Sequence, residues 1–114
     1  MKKFIVIYHA PADAMEQTAN ASPEEQAKGM EGWMQWAQKC GDKLVDMGTP
    51  LSNGQQLSPD GQSTPSNKDV AGYSVLQAGS MEEAKELLKG HPHLAWNADC
   101  SIEVHEAMPL PGTE

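Results

Sequence analysis

The chain has 114 residues, of which 39% are hydrophobic, and a net charge of −8 with eight lysines and no arginine. That length suits a single domain, residues 1–114, large enough to fold without staples. The acidic balance argues against nucleic acid or an anionic membrane as partner, because both need cations that displace counterions from phosphates.

The first element is KKFIVIYHA, Lys2 to Ala10, a short β-branched and aromatic run that reads as a strand. Phe4, Val6 and Tyr8 point to one face and Ile5, Ile7 and His9 to the other. Both faces are apolar, so a central strand covered on both sides is expected. MKKFIVIYHAP lacks the long apolar segment and cleavage site of a signal peptide, and no run approaches membrane-spanning length. A cytoplasmic protein is expected.

Residues 11–21 form a loop of small and polar residues containing Asp13 and Glu16. Ser22-Pro23-Glu24-Glu25 then opens a helix: Ser22 caps it, Pro23 fits its first position, and Glu25 closes a capping box. The helix is predicted to run to about Gly41. Ala27, Met30, Trp33, Met34, Ala37 and Cys40 recur at three- and four-residue steps and form the expected buried stripe, with Trp36 at its edge. Gly29 and Gly32 each cost about 1 kcal/mol relative to Ala inside a helix. Close approach to a neighbour would account for them.

Leu44 to Met47 reads as a short strand. Asn53-Gly54 is a turn signal, and Gln55 to Ser58 a short return strand. Residues 59–69 are polar and rich in turn formers, and are expected to be a mobile loop. Ala71 to Ala78 alternates as a strand. Ser80-Met81-Glu82-Glu83 is a second capping box, and the helix it opens turns Ala84, Leu87 and Leu88 inward before ending at Gly90. His91 precedes Pro92 and is pushed toward extended backbone, and residues 93–97 suit one more helical turn. Residues 99–108 form the last strand, with Cys100, Ile102 and Val104 on one face and Ser101, Glu103 and His105 on the other. Cys40 and Cys100 form no CxxC pair and are too few for a disulfide scaffold, so both are expected as reduced core residues.

The order strand, helix, strand, hairpin, strand, helix, strand is the ferredoxin-like pattern: an α+β fold with two helices on one face of an antiparallel sheet. The first strand then sits between the third and last main strands. The chain leaves the other face of that sheet open, and a second copy would cover it around a two-fold axis, so a homodimer is expected.

Four segments carry a family resemblance: MKKFIVIYHA, DKLVDMGTPL, GYSVLQAGSMEEAKELLKGHPHL and CSIEVHEAMPL. With them the chain resembles the YCII-related family, which overlaps the DGPF-domain proteins, within the dimeric α+β barrel superfamily. The resemblance implies a ferredoxin-like protomer and a dimer with a cleft beside the sheet. It also implies, for some members, an enzyme with a histidine early in the first helix and an aspartate at the exit of the second. Here the first place falls near Met30, and His91-Pro92 stands at the second. The His–Asp pair is absent as such.

Topology gathers other polar groups at one edge of the sheet. His9 ends the first strand, His91 and His93 follow the second helix, and Asp99 precedes the last strand. A neutral imidazole there serves as a general base, with a carboxylate to orient it, so His9, His91 and Asp99 are the candidate catalytic residues. His93, Trp36, Trp96 and His105 are candidate ligand contacts, with Trp33 assigned to the core. An H-x-H pair also admits metal ligation, with His9 or Asp99 as a third ligand. The competing reading has His91 capping helix carbonyls and His93 solvated, and no metal is assigned. No GxGxxG, Walker loop or GxSxG occurs, so no cofactor is assigned. The expected function is a homodimer that binds a small organic molecule, with acid–base chemistry of a lyase or isomerase kind. The alternative is a non-catalytic binding or structural dimer.

Overall fold

The computed structural model describes residues 1–11, 20–96 and 98–109. The elements are β1 (Lys2–His9), α1 (Pro23–Cys40), a 3-10 turn (Gly41–Lys43), β2 (Leu44–Asp46), β3 (Gln55–Leu57), β4 (Ser63–Pro65), β5 (Val70–Ala78), α2 (Met81–Leu88), α3 (Pro92–Trp96) and β6 (Ser101–Glu106). The main sheet has the order β2-β5-β1-β6, antiparallel throughout. The protein is therefore α+β, with β1 between β5 and β6 as its chain order predicts. No helix among the described residues is long and apolar enough to cross a membrane.

The two-residue period of β1 decides where the core lies. Phe4, Val6 and Tyr8 are buried with Leu76 and Ala78 of β5, and Trp36, Cys40, Ala84 and Leu88 from the helices close over them. Each large side chain removed from water there contributes about 1.5–3 kcal/mol. Ile5, Ile7, Tyr73 and Val75 lie on the opposite face and are only half-buried. Ile5 pairs with Val75, and Ile7 with Tyr73, so these four form one contiguous apolar strip. Leu76 belongs to the core face.

Both predicted N-caps form, but the return contact of each glutamate differs from a capping box: Glu25 Oε1 accepts from Ser22 Oγ at 3.3 Å, and Glu83 Oε2 accepts from Gly79 N at 3.1 Å. Glu25 N donates to Ser22 Oγ, and Glu83 N donates to Ser80 Oγ, each at 3.2 Å. Gly90 leaves α2 at φ 71°, a left-handed conformation that favours glycine. At Gly48 (φ 77°) a Cβ would stand 1.8 Å from the Tyr73 carbonyl oxygen, so only glycine lets the segment after β2, which bridges Pro50 to Gly72, lie against β5.

The structure corrects three sequence expectations. The first concerns the buried face of α1, which is Trp33, Trp36 and Cys40 with Gly32 beside them, while Ala27 is exposed, as are Met30 (53%) and Met34 (49%). The helix is turned so that its indoles meet the sheet and α2. Trp33 packs edge-on to Tyr8 with centroids 4.9 Å apart, and Trp36 Nε1 donates to the Leu87 carbonyl at 2.8 Å. Gly32 has its close neighbour, since a Cβ there would lie 3.4 Å from Pro92, whereas Gly29 faces open space.

The second correction is that residues 59–69 are not simply loop. β3 and β4 form a hairpin closed at Pro59-Asp60-Gly61, where Ser58 N donates to the Gln62 carbonyl at 2.8 Å. The Pro-Asp-Gly signal prevails over Asn53-Gly54 as the closing turn. The third concerns the cysteines: Cys40 is buried, but Cys100 is only half-buried, and neither is in a disulfide.

Candidate functional site

β1 ends at a place where its pairing with β5 slips. Tyr8 lies opposite Gly72 but His9 opposite Val70, so Ala71 is the extra residue of a bulge. Bulges re-aim side chains beside sites. Just beyond, Ala10 N donates to the Asp69 carbonyl at 2.9 Å. Asp69 itself takes φ 57°, a left-handed conformation uncommon for a non-glycine residue. On the other side His9 faces Ser101 of β6, which makes Glu103 its diagonal neighbour on the open face.

These residues line a pocket of about 410 Å³ at the end of the sheet. Its walls are His9, Ala10, Pro11, Lys68, Asp69, Asp99, Ser101 and Glu103. That volume accommodates a ring-sized molecule. His9 is tightly engaged. Its Nδ1 donates to the Lys68 carbonyl at 2.8 Å, and its Nε2 stands 2.6 Å from Glu103 Oε1. That approach is a close contact in which Nε2 makes no hydrogen bond. Glu103 Oε2 accepts from His105 Nε2 at 2.9 Å. One carboxylate therefore bridges two imidazoles across the open face. His105, and after it His9, hold the Glu103 carboxyl below its usual range.

The structure brings His9 and Asp99 into this pocket, with His105 joined to it through Glu103. It does not bring His91, His93, Trp36 or Trp96 there. The His91 ring is fully enclosed, with centroids 5.0 Å from Tyr8, 4.5 Å from Trp33 and 4.4 Å from Trp36. Burial, with His93 next, pushes it down to about 3, so the ring is neutral. Its Nδ1 accepts from His93 N at 3.0 Å, which places the ring hydrogen on Nε2, 3.3 Å from Tyr8 Oη.

That tautomer sets the direction of a closed chain. His91 donates to Tyr8, Tyr8 to Ser74 Oγ at 2.7 Å, and Ser74 to the Met47 carbonyl at 2.7 Å. Burial raises the Tyr8 hydroxyl to about 12, so it stays protonated and able to donate. A fully satisfied network of this kind stiffens a core.

His93 is also buried, and not solvated as one reading of the segment expects. Its Nε2 donates to the His9 carbonyl at 2.8 Å, and burial lowers its affinity for a proton. Neither ring is free for a substrate: both are taken by the protein's own groups. Trp36 is core, because its indole N–H finds the Leu87 carbonyl. Trp96 is 40% exposed and leans on His93 at a centroid distance of 5.7 Å. Among the described residues no three His, Cys, Asp or Glu side chains are placed to hold a metal ion. Asp13 and Glu16 lie outside the described residues.

Sequence reasoning missed Glu103 and Asp69 as pocket residues. The two-residue period put Glu103 on the His105 face, and register to β1 was the further information needed.

No family model matches the chain, and no curated protein does. Among solved structures the chain is similar to 5-chloro-2-hydroxyhydroquinone dehydrochlorinase from Burkholderia phenoliruptrix AC1100, in a complex with 2,5-dihydroxybenzoquinone. The identity is 12%, 90% of this chain and 91% of that chain are covered, and the TM-score is 0.50. That protein has a fold of the dimeric α+β barrel type. At this identity the likeness speaks for the fold alone.

Proposed function

We propose that this protein is a homodimer of the YCII-related type that binds a small organic molecule in the pocket beside His9 and moves a proton there. The carrying observation is the His9 ring, pinned by the Lys68 carbonyl on one side and facing Glu103 on the other, at the wall of a pocket that also holds Asp99. A backbone carbonyl on Nδ1 fixes the tautomer and leaves Nε2 as the working atom. In this reading Glu103 is the partner that shares its proton, and Asp99 and Ser101, which line the same pocket, hold ligand polar groups. The half-buried strip of Ile5, Ile7, Tyr73 and Val75 adjoins this pocket on the same face, and a second copy packed there would cover it.

One observation favours a second reading, binding without turnover. Both ring nitrogens of His9 already have oxygen partners, and His91 and His93 are spent on structure.

Two measurements test the proposal. Light scattering at micromolar concentration should give twice the chain mass; a monomer contradicts the dimer. A panel of small hydroxylated and carbonyl compounds in deuterated water should reveal proton exchange or elimination that His9→Ala abolishes. Ligand binding with no exchange on any compound supports the second reading.

A further inference from the structure

We infer that the β3–β4 hairpin is an arm that clasps a second copy of this chain on its open sheet face. This rests on the homodimer reading and names the element that secures it.

The hairpin buries nothing within its own chain. β3 and β4 form a two-stranded sheet joined to no strand of the main one, and residues 51–65 are all exposed, Leu57 at 72%. Local bonds give it its shape. Gln62 N donates to Asp60 Oδ1 at 3.0 Å in the turn, Ser63 Oγ to Gln55 Oε1 at 2.9 Å across the strands, and Ser66 N to the Gly54 carbonyl at 2.8 Å at the base. Such bonds alone leave an isolated two-stranded hairpin marginal in water, and a surface that covers it supplies the missing burial.

The amount of uncovered surface fits a second copy. The chain exposes 7898 Å², whereas a compact chain of 12.3 kDa exposes about 6,100 Å². Its radius of gyration is 15.7 Å, against about 13 Å for compact packing. The surplus of about 1,800 Å² exceeds the roughly 800 Å² that each partner of a stable dimer buries.

Charge points the same way. Two copies at a net charge of −8 repel, so they meet best through surfaces that carry little charge. Residues 51–66 hold one charged side chain, Asp60, in a chain that is 21% charged, and Ile5, Ile7, Tyr73 and Val75 on the open face hold none. A strongly charged partner would find little there to pair with. Leu51 N donates to the Ala71 carbonyl at 2.9 Å and Pro50 bridges to Gly72, so the arm springs from the strand that carries Tyr73 and Val75. From Gly54 to its tip it is about 14 Å long, more than the roughly 10 Å between packed sheets.

Replacing residues 55–65 by two glycines closes the chain where Gly54 and Ser66 already bond. Analytical ultracentrifugation over a dilution series should then give a dimer dissociation constant raised about tenfold or more, which corresponds to about 1.4 kcal/mol. The amide spectrum of β1 should be kept. Leu57→Asp in the full chain should weaken the dimer several-fold. With the photoreactive p-benzoylphenylalanine in place of Leu57, irradiation should join two chains through β1, β5 or β6 of the second copy. A shortened chain or a Leu57→Asp variant that dimerises as tightly as the unaltered chain overturns the arm while the homodimer stands. Cross-links confined to one chain, or reaching a second copy away from those strands, overturn it as well. An unaltered chain that is monomeric at micromolar concentration overturns both the arm and the homodimer.

Discussion

His93 donates from Nε2 to the carbonyl oxygen of His9 at 2.8 Å, tying the exit of α2 to the end of β1. His91 in turn accepts the His93 amide at 3.0 Å, so the His-Pro-His segment is a buckle: its rings face inward and fix the strand whose last side chain lines the pocket. Removing the donor with His93→Leu orphans a buried carbonyl, at a cost of about 1–3 kcal/mol. His93→Gln, which keeps an N–H donor, should recover part of it. Urea denaturation of the two variants checks this, and equal midpoints would mean that the bond contributes nothing.

Acid should weaken the fold through the same pair. Burial holds His91 at about 3 and also lowers His93, against an ordinary value of 6.5. Above that value both folded and unfolded chains are neutral at these rings, and the pair adds no slope. Below it the unfolded chain takes up protons that the folded chain refuses. Stability therefore falls as pH drops from about 6.5 toward 3, by up to about 1.4 kcal/mol per pH unit for His91. Urea midpoints at about pH 7 and pH 5 should show this, and His91→Phe should flatten the slope. A wild-type profile with no loss over that interval contradicts the buried neutral ring.

The Glu103 carboxyl should report on its two imidazole partners. His105→Ala removes the larger influence and should move the Glu103 midpoint upward toward the ordinary carboxylate value, and His9→Ala should move it upward as well. Carbon-13 shifts of the side-chain carboxyl read this directly. A midpoint unmoved in both variants would show that the bridge does not form in solution.

Gly29→Ala should stabilise the protein by about 0.5–1 kcal/mol. The position lies inside α1, and a Cβ there would meet nothing within 4 Å. A thermal midpoint at or below that of the unaltered chain would mean that α1 needs its glycine for something other than space.

Much of the fold was legible because its signals are local. The alternation of Phe4, Val6 and Tyr8 with Ile5, Ile7 and His9 needs no partner to be seen, and the capping serines Ser22 and Ser80 mark both long helices. The face of α1 was not legible. Met30, Met34, Trp33 and Trp36 are all apolar and lie on adjacent stripes, and the choice was made by Tyr8 and the Leu87 carbonyl, remote in sequence. His91 shows the same limit. A histidine after a helix reads as a polar rim residue until Trp33 and Trp36 are known to enclose it. His9 and Asp99 were placed at one sheet edge by topology alone, whereas Asp69 entered the pocket through a bulge that only the register reveals.

The most direct test of the pocket is chemical-shift mapping of a fragment library on the unaltered protein, repeated on His9→Ala. Hits should converge on His9, Asp99, Ser101 and Glu103 and be lost in the variant. Hits that gather instead in the apolar groove of Leu88, Leu94, Ile102 and Val104, or that survive His9→Ala unchanged, would contradict the assignment of the functional site.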